Sequence, residues 1–243
     1  MIGGKEMQIK KTQNWIAISL LALVSTSVHA ITIDGVNDFS TSQTFTTSSG
    51  NSGYVATDGV SLFFGIDHPD IQTGGASNFF VAYVGNGVEG GTDGITFNTQ
   101  QPQLPFTASG AFATSSSSTG VYLNNGSGFF LNSNPSGLAA SGTFLEVSIP
   151  LSDLGVSATD PIFFLAYLLF EGGGFESSYS VFPIDSFSNG AYDPNPTTFI
   201  TLQAVPLPAA AWLFLSALGG LFGLRRFRTA SKVTQRCGGE LST

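Results

Sequence analysis

The chain has 243 residues, with sixteen Asp and Glu against eight Lys and Arg, and a formal net charge of −8. The cations are Lys5, Lys10, Lys11, Arg225, Arg226, Arg228, Lys232 and Arg236, so residues 31–204 hold fourteen Asp and Glu and no Lys or Arg. That segment lacks the cations that displace counterions from nucleic-acid phosphates or stabilise a transferring phosphoryl group. Its carboxylates must be solvated, bonded to backbone or hydroxyl donors, or neutralised by a bound cation such as Ca²⁺. The one cysteine, Cys237, lies outside it, so the segment is held by its core without disulfides.

Residues 1–30 have the order of a secretory signal peptide. Lys10 and Lys11 form a positive region, residues 15–24 (WIAISLLALV) an apolar run, and Val28 and Ala30 the small residues preceding a cut after Ala30. Ten apolar residues are too few for a comfortable membrane span. Met7 is a second candidate start, since residues 1–6 add nothing to this pattern.

Residues 31–204 are expected to form one all-β domain, an antiparallel β-sandwich. Phe, Tyr, Val, Ile and Thr are frequent, and Gly and Ser punctuate the segment at short intervals. Asp58-Gly59 separates residues 54–57 from residues 60–66 and predicts a tight hairpin. Residues 78–84 (NFFVAYV) read as a strand. Residues 143–149 (TFLEVSI) alternate, with Leu145, Val147 and Ile149 on an apolar face and Phe144, Glu146 and Ser148 on the opposite, polar face. Residues 161–170 (PIFFLAYLLF) are apolar throughout, which fits a strand buried on both faces. Residues 178–184 and 197–202 complete the set. The Ser-, Thr- and Gly-rich stretches 41–53 and 107–120 are expected to be loops or polar edge strands.

The order of these elements resembles the family 9 carbohydrate-binding and DOMON-like sandwiches. The residues that carry the likeness are Ile31-Thr32-Ile33-Asp34-Gly35, Leu62-Phe63-Phe64-Gly65-Ile66, and residues 144–150 followed by Leu151-Ser152-Asp153-Leu154-Gly155. A jelly roll or a sandwich of that kind is implied, with the last stretch a core strand leading into a short turn. Sugar sites of the family often use paired Trp, whereas Trp15 and Trp212 both fall in the terminal segments.

Candidate chemistry is sparse. His68, in Asp67-His68-Pro69-Asp70, is the one histidine of the segment. Flanking carboxylates would suit a general base or metal ligand, but the expected reading is an exposed loop with Asp67 and Asp70 capping turns. Glu89, Glu146, Glu171 and Glu176 are the glutamates open to a glycoside-hydrolase pair, with Glu146 expected to be structural; catalysis is not the expected reading. Calcium is the favoured cofactor if there is one, with Asp34, Asp58, Asp67 and Asp70 at turns as its oxygen ligands. Tyr122, Phe129, Phe130, Phe175 and Tyr179 lie near Gly-rich turns, where a sugar platform competes with a role in the core.

The C-terminal part has three steps: Val205, Pro206, Leu207 and Pro208; an uncharged apolar run over 209–224 (AAAWLFLSALGGLFGL); and Arg225, Arg226 and Arg228. At about 1.5 Å per residue the run, extended by residues 205–208, reaches a marginal membrane span. The arginines should stay cytoplasmic and the acidic domain outside. This tail, 205–228, closely resembles the PEP-CTERM sorting signal processed by exosortases of Gram-negative bacteria, in its Val-Pro-Leu-Pro form. The resemblance implies export, cleavage by signal peptidase, a tail-held inner-membrane intermediate, cutting by exosortase near residues 206–208, and delivery to the cell surface or extracellular matrix. It also implies association with exopolysaccharide and biofilm. A plain membrane anchor is the alternative. Residues 229–243 extend beyond the point where such tails usually stop and are expected to be a cytoplasmic tail.

Overall fold

The computed structural model describes residues 30–73, 78–97, 101–172, 175–185 and 195–203. All of these except Ala30 belong to one unit, Ile31–Thr243. The strands in chain order begin β1 (Thr44–Thr46), β2 (Ser52–Thr57), β3 (Ser61–Asp67), β4 (Asn78–Gly85) and β5 (Gly91–Asp93). They continue with β6 (Gln103–Ala108), β7 (Gly110–Thr114), β8 (Thr119–Asn124), β9 (Phe129–Ser133) and β10 (Gly137–Ser141). The last are β11 (Phe144–Pro150), β12 (Ile162–Gly172), β13 (Phe175–Phe182) and β14 (Ile200–Leu202); one short helix, α1 (Asp70–Thr73), follows β3.

Besides the β5–β6 pair, the described strands form two antiparallel sheets, β1-β2-β3-β11-β10 and β13-β12-β4-β7-β8-β9, with β14 also pairing with β12. They face each other across one apolar core. Leu62, Phe64 and Ile66 of β3 and Leu145, Val147 and Ile149 of β11 meet Phe80, Phe112, Phe164 and Leu168 of the second sheet. Phe64 sits at the centre, with ring centroids 5.4 Å from both Phe112 and Phe164. The all-β, sandwich-like architecture expected from the composition is therefore present.

The Asp58-Gly59 hairpin forms as expected. Thr57 pairs with Leu62, Gly59 takes φ +86°, and Asp58 Oδ1 accepts the N–H groups of Val60 and Ser61 at 2.8 and 2.7 Å. Strand β12 is buried on both faces. Phe164, Ala166 and Leu168 point into the inter-sheet core, while Leu165, Tyr167 and Leu169 enter a second cluster with Val81, Tyr83 and Val181. The β5–β6 hairpin covers that outer face with Leu104, Phe106 and Ala108.

Two expectations fail. Within the stretch 107–120, β7 is a central strand, paired with β4 and β8 and buried along its whole length. Its small residues mark close packing rather than a loop. A Cβ at Gly110 would stand 2.5 Å from the Leu154 carbonyl oxygen, and Phe112 is the one large side chain it sends into the core. The supposed polar face of β11 is also buried, with Phe144, Glu146 and Ser148 all largely removed from solvent. Chain 31–39 covers it. The Phe39 ring lies 5.3 Å from Tyr54, which meets Phe144 edge-on, and the N–H groups of Asp34 and Gly35 bond to Glu146.

Candidate functional site

Three places gather polar chemistry. The first is a cleft of about 210 Å³ at one mouth of the sandwich. Ile71, Leu138, Leu145 and Leu168 give it apolar walls, and Asp70, Asn78, Thr114, Ser115 and Thr119 give it a polar rim. It exists because strand partners end together here. Thr114 pairs with both Phe80 and Thr119, and the two Thr hydroxyls lie 2.7 Å apart.

His68 stands behind this rim and is 8 % exposed, not the exposed loop residue expected. Its Nδ1 accepts the Asp70 N–H at 3.1 Å, so the neutral ring carries its proton on Nε2. Burial lowers its pKa below 6.5 despite the opposing pull of Asp70 and Asp67. The 3.8 Å approach to Asp70 Oδ2 is thus a contact of a neutral ring and not an ion pair. Tyr179 packs edge-on against His68 and donates its hydroxyl to Asp70 Oδ2 at 2.7 Å. Burial, then Asp70, push the Tyr179 pKa upward. The trio holds one carboxylate on the rim, and the imidazole nitrogen free of a proton is already occupied by a backbone donor.

The second place is a polar cleft of about 250 Å³ lined by Gly91, Asp93, Gln101, Asn124, Ser127 and Gly128, among others. It lies where β5 approaches the turn after β8. Asn124 Oδ1 shapes that turn by accepting the Gly126 N–H at 2.9 Å, and Gln103 Nε2 donates to Asp93 Oδ1 at 2.6 Å. Small residues with amide and carboxylate groups suit hydrogen bonding to neutral hydroxyls.

Comparison with family models, curated proteins and solved structures finds no match.

The third place is the contact of chain 31–39 with β11. Glu146 is 0 % exposed. Its Oε1 accepts the Asp34 and Gly35 N–H groups at 2.6 and 2.5 Å, successive donors of the kind that cradle anions. Its Oε2 is buried with no partner, as is Asp38 Oδ1. Burial raises the Glu146 pKa above 4.5; the two backbone donors oppose this, and Asp38 and Asp34 add repulsion.

The four aspartates expected to ligate calcium serve separate turns. Asp34 Oδ1 accepts the Val36 N–H at 2.9 Å; Asp58 closes the β2–β3 hairpin; Asp67 Oδ1 takes the Thr143 hydroxyl; Asp70 is held by Tyr179. Asp67 and Asp70 flank His68, whereas Asp58 lies at the other end of β3. Among the described residues no group of three or more His, Cys, Asp and Glu is placed to hold a metal. The sequence reading missed Asp38 and the buried state of Glu146; the missing cation in residues 31–204 was the signal that a buried carboxylate there needs an unusual partner.

The described aromatic residues do not form one platform. Tyr122 and Phe129 pack on the outer cluster of the second sheet, Tyr179 on the inter-sheet core, and Phe130 is 46 % exposed on edge strand β9. Ala30 is exposed. Val205, Pro206, Leu207, Pro208, Arg225, Arg226, Arg228 and the apolar run between them lie outside the described residues, as do residues 1–29 and the side chains of Phe175, Glu171 and Glu176. Among the described residues no helix is long and apolar enough to cross a membrane.

Proposed function

We propose that this is an exported protein, sorted by its C-terminal tail to the cell surface or extracellular matrix, where the sandwich acts without catalysis in an exopolysaccharide layer. One observation carries the reading: the order of Val205-Pro206-Leu207-Pro208, sixteen uncharged residues and the Arg225-Arg226-Phe227-Arg228 cluster, at the far end of a chain that starts with a signal peptide. Signal peptidase and exosortase are its processing partners, and the membrane holds it between the two cuts. The absence of Lys and Arg from residues 31–204 supports a domain that repels polyanions and stays soluble among them. The finer kinship with jelly-roll, family 9 or DOMON-like sandwiches rests on the sequence stretches given above.

Replacing Arg225, Arg226 and Arg228 by Gln tests the sorting. The altered chain should lose its inside anchor and fail to reach the surface fraction in its processed form. Unchanged surface delivery of all three-Arg variants would remove the tail from the account.

A second reading, a carbohydrate-binding module, is favoured by the cleft at Asp93 and Asn124. Retention on columns of the host's own polysaccharide, lost in an Asp93→Ala, Asn124→Ala double variant, would support it. Equal elution of both proteins would count against it.

A further inference from the structure

We propose that a Ca²⁺ ion binds between Glu146 and Asp38 and ties chain 31–39 to the outer face of the first sheet. The proposal is independent of the sorting tail. Glu146 lies in the middle of β11, opposite Gly65 of β3 and Ala139 of β10, and is fully buried. Its head is aimed into loop 34–38, where Oε1 takes the Asp34 and Gly35 N–H groups. Asp38 ends the same loop and is fixed through Oδ2, which accepts the Thr32 N–H at 2.8 Å. Each carboxylate then has one buried oxygen left over, Glu146 Oε2 and Asp38 Oδ1.

Three species could satisfy such oxygens. A proton on Oε2 would neutralise Glu146 alone and leave Asp38 and the nearby Asp34 without a counter-charge. A water would donate hydrogen bonds but leave the charge of Glu146, Asp38 and the nearby Asp34 uncompensated. No Lys or Arg exists between residues 31 and 204 to do so, and buried charge without a counter-charge is costly. A cation satisfies both requirements. Hard carboxylate oxygens select Ca²⁺ or Mg²⁺. A site with two carboxylates, completed by backbone carbonyls and water, suits the flexible, larger shell of Ca²⁺ better than the strict octahedron of Mg²⁺. So few charges place the affinity in the weak class of extracellular modules, with Kd of about 10⁻⁴ to 10⁻³ M. The cation would act as a clasp, joining the start of the domain to a strand it reaches only across more than a hundred residues of chain.

The test is thermal unfolding of the full chain in mild detergent at neutral pH, in excess EGTA and in about 10 mM Ca²⁺ or Mg²⁺. Ca²⁺ should raise Tm by about 4 °C or more, and Mg²⁺ by less than half as much. Asp38→Asn and Glu146→Gln keep the hydrogen-bond acceptors but remove charge. Both should lose the Ca²⁺ response and unfold in EGTA at or above the wild-type Tm. A wild-type Tm indifferent to Ca²⁺, an equal response to Mg²⁺, or a full Ca²⁺ response in Asp38→Asn would overturn the proposal. Equilibrium dialysis of the wild-type chain gives a readout that needs no variant: saturable uptake of Ca²⁺ in the stated range supports the site, and no uptake removes it.

Discussion

The two sheets of this sandwich are both covered on their outer faces, but by opposite means. The second sheet is covered by the β5–β6 hairpin, which packs Leu104, Phe106 and Ala108 on Tyr83, Leu165 and Tyr167. The first is covered by chain 31–39, which brings a buried Glu146, backbone donors and Asp38. Apolar cover is non-directional and tolerates small shifts. Polar cover is stable only when each buried group has its partner. The second sheet's outer face should therefore resist changes in solution conditions, and the first sheet's should respond to pH and cations.

The largest expected effect lies on the apolar cover. Phe106 is buried and meets Phe163 and Phe199 edge-on at 5.9 and 5.4 Å. Phe106→Ala should cost about 3–5 kcal/mol in urea unfolding. A loss below about 1 kcal/mol would mean that the hairpin cover is dispensable and the comparison false.

The contrast between the covers also explains what was legible in the sequence. Strand β12 announced both of its buried faces because every residue from Ile162 to Phe170 is apolar. Strand β11 announced only one, since Glu146 in an alternating strand signals solvent unless a distant segment brings donors to it. Strand β7 was hidden by its small residues, Gly110, Ala111 and Ala113, whose value is close approach rather than hydrophobic bulk. The Asp58-Gly59 hairpin was readable because its chemistry is local. The mouth cleft was not, because its walls come from residues spread between Asp70 and Leu168 and meet only through the topology.

On the polar cover, Gly35 has φ +85°, and a Cβ there would come 2.9 Å from Ser141 Cβ. Gly35→Ala should cost about 1–3 kcal/mol, measured by the same urea titration. No loss would show that the segment moves away from β11 without penalty.

A smaller effect should come from pH. The folded-state pKa of Glu146 is raised, so in EGTA the folded state holds a proton longer than the unfolded chain does. Its contribution is fully present below the unfolded value and is lost as pH rises through the folded one. Tm in EGTA should therefore fall across that window, and Glu146→Gln should flatten the slope. An unchanged slope would place the responsible group elsewhere.

His68 should give the smallest change, with the opposite sign. Its pKa is lowered from 6.5, so its contribution is present above the unfolded value and is lost as pH falls through the folded one. Following the His68 ring resonances by NMR against pH would show this directly. A midpoint at or above 6.5 would contradict the burial argument.

The intact mass of the protein recovered from its native host, with the cell fraction recorded, tests the central claim most directly. The account predicts a surface or extracellular species that starts at Ile31 and ends near Pro208. An inner-membrane species that still carries residues 209–228 would contradict it and leave an ordinary tail-anchored domain.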